Sequence, residues 1–222
     1  VKELPGSRDA RRKPGTIVKR TDVEQISREV VYDGFFRLDR YRLRHRQFAG
    51  GFGPVLTREI LERGRVAAVL PVDPERDRLV LIEQFRPGAW AADWEPWLLE
   101  CVAGVIEPGE TPEAMARREA LEEMGCTVTD LIPIATFLTS PGATTETVRM
   151  FCGRVDSNGV GGLHGLAEEG EDIRVSVVPI EDAVALLDAG RIVNAKAIIA
   201  LQWIARHYDA LKARWMTARD DE

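Results

Sequence analysis

Apolar and polar positions along the chain follow two regimes. Between 23 and 45 the pattern is that of strands. VEQISREVVY is rich in β-branched residues, Asp33-Gly34 supplies a turn, and FFRLDRYRLRH partly alternates apolar with charged positions. AGGFG at 49–53 is a second turn and VLTREIL a third strand, so this part is expected to form a β meander. From 65 the pattern changes. RVAAVLPVD (65–73) and DRLVLIEQF (77–85), separated by the turn PER, are almost continuously apolar, which predicts strands covered on both faces. PWLLECVAGV (96–105), LIPIATFL (131–138), TVRMFCGRV (147–155) and DIRVSVVPI (172–180) are expected as further strands. IEDAVALLDAG reads as a short helix ending at Gly190. NAKAIIALQWIARHYDALKARW reads as a long amphipathic helix with Ile198, Leu201, Ala205, Tyr208 and Leu211 at helical spacing. This order fits an α/β (α+β) chain with a mixed sheet and helices on both of its faces.

Composition bounds the function classes. The chain has 222 residues, 45% hydrophobic and 30% charged, as expected of a soluble globular protein with one large domain and room for an extra lobe. No apolar run approaches the roughly 20 residues of a membrane span, and the first residues lack the apolar core of a signal peptide. Cys101, Cys126 and Cys152 show no metal-type spacing and read as buried thiols in a reducing, cytoplasmic setting. The formal net charge is -6, yet residues 1 to 20 hold seven Lys/Arg against Glu3 and Asp9. No basic patch beyond this tail suits a nucleic acid. The expected organisation is a disordered basic leader at 1–16, the meander at 17–62, and a larger domain at 63–222.

Charge also gathers at one place. GVIEPGETPEAMARREALEEMGC (104–126) holds Glu107, Glu110, Glu113, Glu119, Glu122 and Glu123. Thr111 as N-cap, Pro112 in the first turn, Glu113 at the positive end and Gly125 at the stop predict a helix over 112–124. On it Glu119, Glu122 and Glu123 share one face, flanked by Met115 and Arg118, while Leu121 and Met124 can pack on the other side. Like charges at this spacing repel. Either the face is simply solvated, or it binds a hard cation such as Mg2+ or Mn2+. Composition leaves both readings open.

The spacing adds to this. The pattern G-x5-E-x7-R-E-U-x-E-E-x-G-U, with U apolar, fits Gly104, Glu110, Arg118, Glu119, Ala120, Glu122, Glu123, Gly125 and Cys126. Every fixed position matches, with small residues at the two U positions. It resembles the Nudix box of hydrolases that cleave nucleoside diphosphates linked to another moiety. SREVVYDGFFRLDRYRLRHRQF, VLIEQFR, PWLLECVAGVIEPGE, FLTSPGATTE, GLHGLAEEGEDIRV and NAKAIIALQW extend the resemblance, over roughly 17 to 215, to the bacterial ADP-ribose pyrophosphatases. Pro141, 15 positions after Cys126, stands where that group places its proline.

The resemblance implies a Nudix α/β/α sandwich with a mixed sheet, plus an N-terminal antiparallel β domain exchanged between the subunits of a homodimer. It implies ADP-ribose as substrate, AMP and ribose 5-phosphate as products, and Mg2+ (Mn2+ as substitute) as cofactor. Carried over residue by residue, Glu119, Glu123, Glu171 and the backbone carbonyl of Ala103 are metal ligands. Glu169 is the general base, Glu122 belongs to the same carboxylate cluster, and Arg118 orients it. Glu110 holds the loop, and Gly104 permits close approach. Arg58 and Arg86 match phosphate contacts, Phe35 an adenine-stacking ring, and Glu146 the ribose side, with Ser140 and Pro141 shaping the pocket. Without the resemblance, AEEGED (167–172) is a solvated loop, Arg58 and Arg86 form surface ion pairs, and Phe35 belongs to the meander core. Trp90, Trp94 and Trp97 are expected in core and interface packing, and His45, His164 and His207 in structural roles. Two alternatives stay open: a nucleotide-sugar enzyme of the GDP-mannose type, and a non-catalytic Nudix module that senses ADP-ribose.

Overall fold

The computed structural model describes residues 18–165 and 170–217. Contacts divide the chain into two compact units. One comprises the described residues up to Arg63 together with Gly142–Thr144. The other comprises Gly64–Pro141 and the residues from Thr145 onward.

The smaller unit opens with a 3-10 turn, Arg20–Asp22, followed by β1 (Val23–Asp33), β2 (Arg37–His45) and β3 (Leu56–Glu62). They form one antiparallel sheet in the order β1-β2-β3. The turns fall where Asp33-Gly34 and AGGFG predict them, the second using Gly50 and Gly51 at φ 99 and 73. This sheet has almost no apolar core. Among its described residues only Asp39 is buried, and it accepts hydrogen bonds from Arg28 Nε at 2.6 Å and Arg37 Nε at 2.8 Å. Val23, Ile26, Val30 and Tyr32 of β1 are all exposed.

The larger unit contains β4 (Arg65–Asp73), β5 (Arg78–Phe85), α1 (Pro87–Ala91), β6 (Trp97–Glu100), β7 (Val102–Val105), α2 (Pro112–Met124), β8 (Asp130–Leu138), β9 (Thr147–Arg154), β10 (Gly162–His164), β11 (Ile173–Pro179), α3 (Ile180–Asp188) and α4 (Ala195–Thr217). The sheet runs β10-β11-β5-β4-β9-β8, with β4 parallel to β9 and the other pairs antiparallel. Every residue of β4 after Arg65 is buried. Its side chains alternate between two cores, as a strand's period of two requires. Ala68, Leu70 and Val72 pack with Ala197, Ala200, Leu201 and Ile204 of α4. Ala67 and Val69 pack with Met115, Ala116, Ala120 and Met124 of α2. Helices thus cover both faces of a mixed sheet, the α/β/α sandwich expected from the chain. All three cysteines are buried free thiols.

PWLLECVAGV departs from expectation: it is two strands, β6 and β7, broken at Cys101. β4 and β5 bond to each other only beside their turn, at Val72↔Leu79 and Asp73↔Arg78. Beyond it each takes a different partner: β6 pairs along β5 and β7 along β4. One continuous strand cannot follow two separate partners, so the chain switches at Cys101. Asn194 secures this arrangement, donating through Nδ2 to Leu99 O at 2.7 Å while its Oδ1 accepts from Ala197 N at the start of α4. Trp90, Trp94 and Trp97 are not core: each is more than half exposed. α1 and β10 fall in the Pro/Gly-punctuated stretches PGAWA and GGLHG, too short to show a period.

Candidate active site

The helix α2 forms where its signals place it. Thr111 Oγ1 accepts from Ala114 N at 3.1 Å, and Pro112 lies in the first turn. Gly125 closes the helix in the left-handed region at φ 66, with Gly125 N donating to Leu121 O and Cys126 N to Ala120 O. The buried face differs from the expected one. It consists of Met115, Ala116, Ala120, Glu123 and Met124, while Leu121 is exposed. The sheet therefore covers a stripe that takes in an acid and leaves out a leucine.

β7 lies against α2 at the carboxylates. A Cβ built on Gly104 would stand 2.0 Å from Glu119 Oε1 and 2.4 Å from its Cδ. Glycine at 104 leaves open the space that the Glu119 side chain occupies. Ala103 is the preceding β7 residue, with a partly buried side chain.

One guanidinium organises three acids. Arg118 Nε donates to Glu110 Oε1 at 3.0 Å, and Nη1 donates to Glu119 Oε1 and Glu122 Oε2, both at 3.0 Å. Glu110 also accepts from Glu107 N at 3.1 Å, so it ties the loop to the helix. Arg118 holds the Glu110 carboxyl below its ordinary range and is itself held more firmly protonated. For Glu119 burial outweighs Arg118, and its affinity for a proton rises.

Glu123 has no such partner. It is buried, and its Oε2 makes no hydrogen bond. Burial first, and then the charges of Glu119 and Glu171, push its pKa up to about 8; Arg86 acts in the opposite sense. A buried polar atom without a partner is costly, and such atoms are rare in folded proteins. A hard divalent cation fits this donor set: carboxylate oxygens around an orphaned buried acid, beside a glycine that leaves room for a carboxylate. Among the described residues no three His, Cys, Asp or Glu side chains already converge as a finished ligand cage. Arg118 holds oxygens of Glu119 and Glu122, and Glu169 lies outside the described residues. Glu171 is partly buried and near enough to act on both Glu119 and Glu123.

Arg86, just past β5, is bound by a residue that the sequence pattern did not single out. Its Nε and Nη2 donate to Glu100 Oε2 at 2.9 and 2.5 Å, and Glu100 is buried. The available signal was one acid within the apolar run WLLECV. Ser140 is exposed beyond β8, and Glu146 is partly buried, its carbonyl accepting from Thr139 N at 3.4 Å. Phe35 and Arg58 belong to the smaller unit. Phe35 is 93% exposed, so it is not meander core; it packs edge-on against Phe36, which lies under Arg63. Arg58 is exposed and donates to the Thr57 carbonyl at 2.7 Å.

The buried acid carries a pH signature. Glu123 has an ordinary value of 4.5 and a folded value of about 8. Between them the folded chain binds more protons than the unfolded one. The stabilisation is full below 4.5 and is lost as pH rises through about 8. The metal-free chain is therefore expected to melt several degrees lower near pH 8.5 than near pH 5. Added divalent cation should restore most of the loss at the higher pH. Scanning calorimetry with and without chelator measures both; a melting temperature that climbs across this window contradicts the assignment.

Comparison with known proteins agrees with the geometry. The NUDIX domain family matches residues 62–201. The chain is 52% identical over 196 residues to the ADP-ribose pyrophosphatase of Escherichia coli (strain K12), covering 88% of this chain and 94% of that protein. It is 43% identical over 197 residues to the protein of the same name from Haemophilus influenzae, covering 87% and 91%. The GDP-mannose pyrophosphatase of Enterobacter sp. (strain 638) is 32% identical over 191 residues, covering 82% and 94%. A solved structure described as an ADP compounds hydrolase superposes with a TM-score of 0.66 at 20% identity, covering 86% of this chain and 96% of that one, a likeness of fold. With the Gly104-to-Cys126 pattern seated on β7 and α2, this chain belongs to the Nudix family.

Proposed function

We propose that the chain hydrolyses ADP-ribose to AMP and ribose 5-phosphate, using Mg2+, with Mn2+ as a substitute. The observation that carries the substrate is the 52% identity, over nearly the full length of both chains, to an ADP-ribose pyrophosphatase, against 32% for a GDP-mannose pyrophosphatase. The metal is supported by the unpartnered Glu123 Oε2. Glu119, Glu123, Glu171 and the Ala103 carbonyl would hold the cation, with Glu122 beside them. Bound there, it would withdraw charge from the diphosphate oxygens and favour ionisation of water.

The protein's own groups do the rest. Arg86 neutralises phosphate charge that would otherwise repel an attacking oxygen. Arg118 holds Glu119 and Glu122 in place. Glu169 takes the proton from water as its oxygen bonds to phosphorus and the anhydride P–O bond breaks. Ser140 and Glu146 border the ribose side, while Arg58 and Phe35 contribute a further phosphate contact and a stacking face. Parallel assays with ADP-ribose and GDP-mannose test the reading. ADP-ribose should be turned over faster, with AMP released, and Glu169→Gln should lower kcat by about two to four orders of magnitude. Faster turnover of GDP-mannose overturns the substrate. Binding of ADP-ribose without AMP release would mark a sensing module.

We further propose a cytoplasmic homodimer in which the 17–62 meander is exchanged between subunits. Three buried free thiols suit a reducing compartment. The dimer is supported by a three-stranded sheet that buries one charged residue and leaves Val23, Ile26, Val30 and Tyr32 exposed, too little core to stand alone. Sedimentation equilibrium should give twice the chain mass. Paired Val30→Glu and Ile26→Glu substitutions should yield monomers of low activity; a fully active monomer would sink the proposal.

A further inference from the structure

Three of the proposed metal ligands belong to regular elements: Glu119 and Glu123 to α2, and Ala103 to β7. Glu171 does not. It lies two residues before β11, on an irregular stretch. A ligand outside a helix or strand depends on its neighbours to hold its place. The neighbour that the structure supplies is a glycine. β10 pairs with β11 from Gly162↔Val175 to His164↔Ile173, and Gly165 follows at φ 103. A Cβ built on Gly165 would stand 2.8 Å from Glu171 Cβ and 2.9 Å from Glu171 O. The missing side chain of Gly165 is what lets Glu171 lie there.

β10 is itself tied to α2. Gly125, the helix stop two positions after Glu123, faces the His164 ring: a Cβ there would stand 3.4 Å from His164 Cε1. His164 Nε2 lies 3.1 Å from the Gly161 carbonyl oxygen, which holds the ring in place. Contacts therefore run from the end of α2 through His164 and Gly165 to Glu171. Gly165 meets two needs that can be separated. Its φ is one that side chains rarely adopt, and its side-chain space is taken by Glu171. Gly162, at the start of β10, has the first need without the second: its φ is 97, and nothing lies within 4 Å of a Cβ there.

We propose that Gly165 is a positioning residue for the cation site. By leaving its side-chain space to Glu171, it sets that carboxylate where it can join Glu119 and Glu123 on a divalent cation. The inference rests on the reading of Glu171 as a metal ligand. At Gly104 the atoms in the way belong to a carboxylate that can swing aside; at Gly165 they are the Cβ and carbonyl of Glu171. No side-chain rotation moves those, so relief displaces the Glu171 backbone. A glycine kept only for its backbone makes a different prediction: Gly165→Ala and Gly162→Ala both lose stability, and neither changes metal affinity.

Mn2+ alone is the probe. Its binding to the substrate-free enzyme is read without turnover, from the loss of the free-ion electron paramagnetic resonance signal. Gly165→Ala should weaken binding roughly tenfold or more, as disturbing the support of a metal ligand does. Gly162→Ala should lose stability through its φ and bind Mn2+ as the parent does. Glu171→Gln keeps the Cβ and removes the charge. It should weaken binding too, and adding Gly165→Ala to it should cost little more, because the displaced group no longer binds metal. Should Gly165→Ala fold poorly, Gly165→Asn carries the same Cβ on a residue that tolerates positive φ better. Parent-like binding in Gly165→Ala, with Glu171→Gln impaired, overturns the proposal and leaves the reading of Glu171 standing. Equal weakening in Gly162→Ala overturns it as well, as does an undiminished further loss in the Glu171→Gln background. Parent-like binding in Glu171→Gln removes Glu171 from the ligand set, and the role of Gly165 with it.

Discussion

Glu123→Gln is expected to lower the turnover of ADP-ribose by about three orders of magnitude and, without metal at pH 8, to melt above the parent chain. The loss follows from the proposed role of Glu123 as one anionic ligand of a cation, which would supply several kcal/mol of transition-state stabilisation, at about 1.4 kcal/mol per factor of ten. The gain follows from the same residue's surroundings. Glu123 is buried, its Oε2 has no partner, and the charges of Glu119 and Glu171 press on it. A neutral amide of the same shape removes that repulsion. Opposite movements of rate and melting temperature mark a group retained for chemistry at the expense of stability. The variant should also lose most of the pH dependence of melting between about 5 and 8. A variant that melts lower than the parent in chelator would show that Glu123 is a stabilising partner, and it would remove the main support for the cation site.

Gly104→Ala is expected to fold normally and to lose about a hundredfold in kcat, as small misplacements at a reacting centre do. The position has no positive φ. Alanine therefore brings no backbone strain, and it restricts the unfolded chain slightly in the protein's favour. Its Cβ, however, would stand 2.0 Å from Glu119 Oε1. The carboxylate is the movable party, so it leaves, and with it goes the contact to Arg118. Circular dichroism melts and single-substrate kinetics separate the effects. A melting temperature within a few degrees of the parent with full activity would mean that Glu119 need not lie against β7. Gly125→Ala is the contrast. There φ is 66 and the helix stop depends on it, so about 1–2 kcal/mol of stability is lost while the rate suffers less. Two glycines of one motif are required for different reasons, one for a side chain elsewhere and one for its own backbone.

Much of this was legible along the chain because it is local. Thr111, Pro112 and Gly125 delimit α2 through their own hydrogen bonds and φ, and the nearly unbroken apolar runs of β4 and β5 announce strands covered on both faces. Spacing over 23 positions, from Gly104 to Cys126, named the family. The carboxylates were equally visible, but their differences were not. Glu122 is exposed, Glu119 is half withdrawn under Arg118, and Glu123 is buried without a bond to Oε2. Helical periodicity alone puts Leu121 inside and Glu123 outside; the sheet above α2 does the opposite.

The chain by itself determined the elements, the motif and the chemical class, since caps, periods and motif spacing act within a few turns of backbone. Tertiary structure decided what depends on residues far apart in sequence. It broke PWLLECVAGV at Cys101 because β4 and β5 take different partners beyond their turn. It placed the Glu119 carboxylate where a Gly104 side chain would be. It joined Arg86 to Glu100 across 14 positions. Burial and charge proximity are sums over the whole fold, and they alone separate the buried, unpartnered Glu123 from Glu110, which ties the loop to the helix.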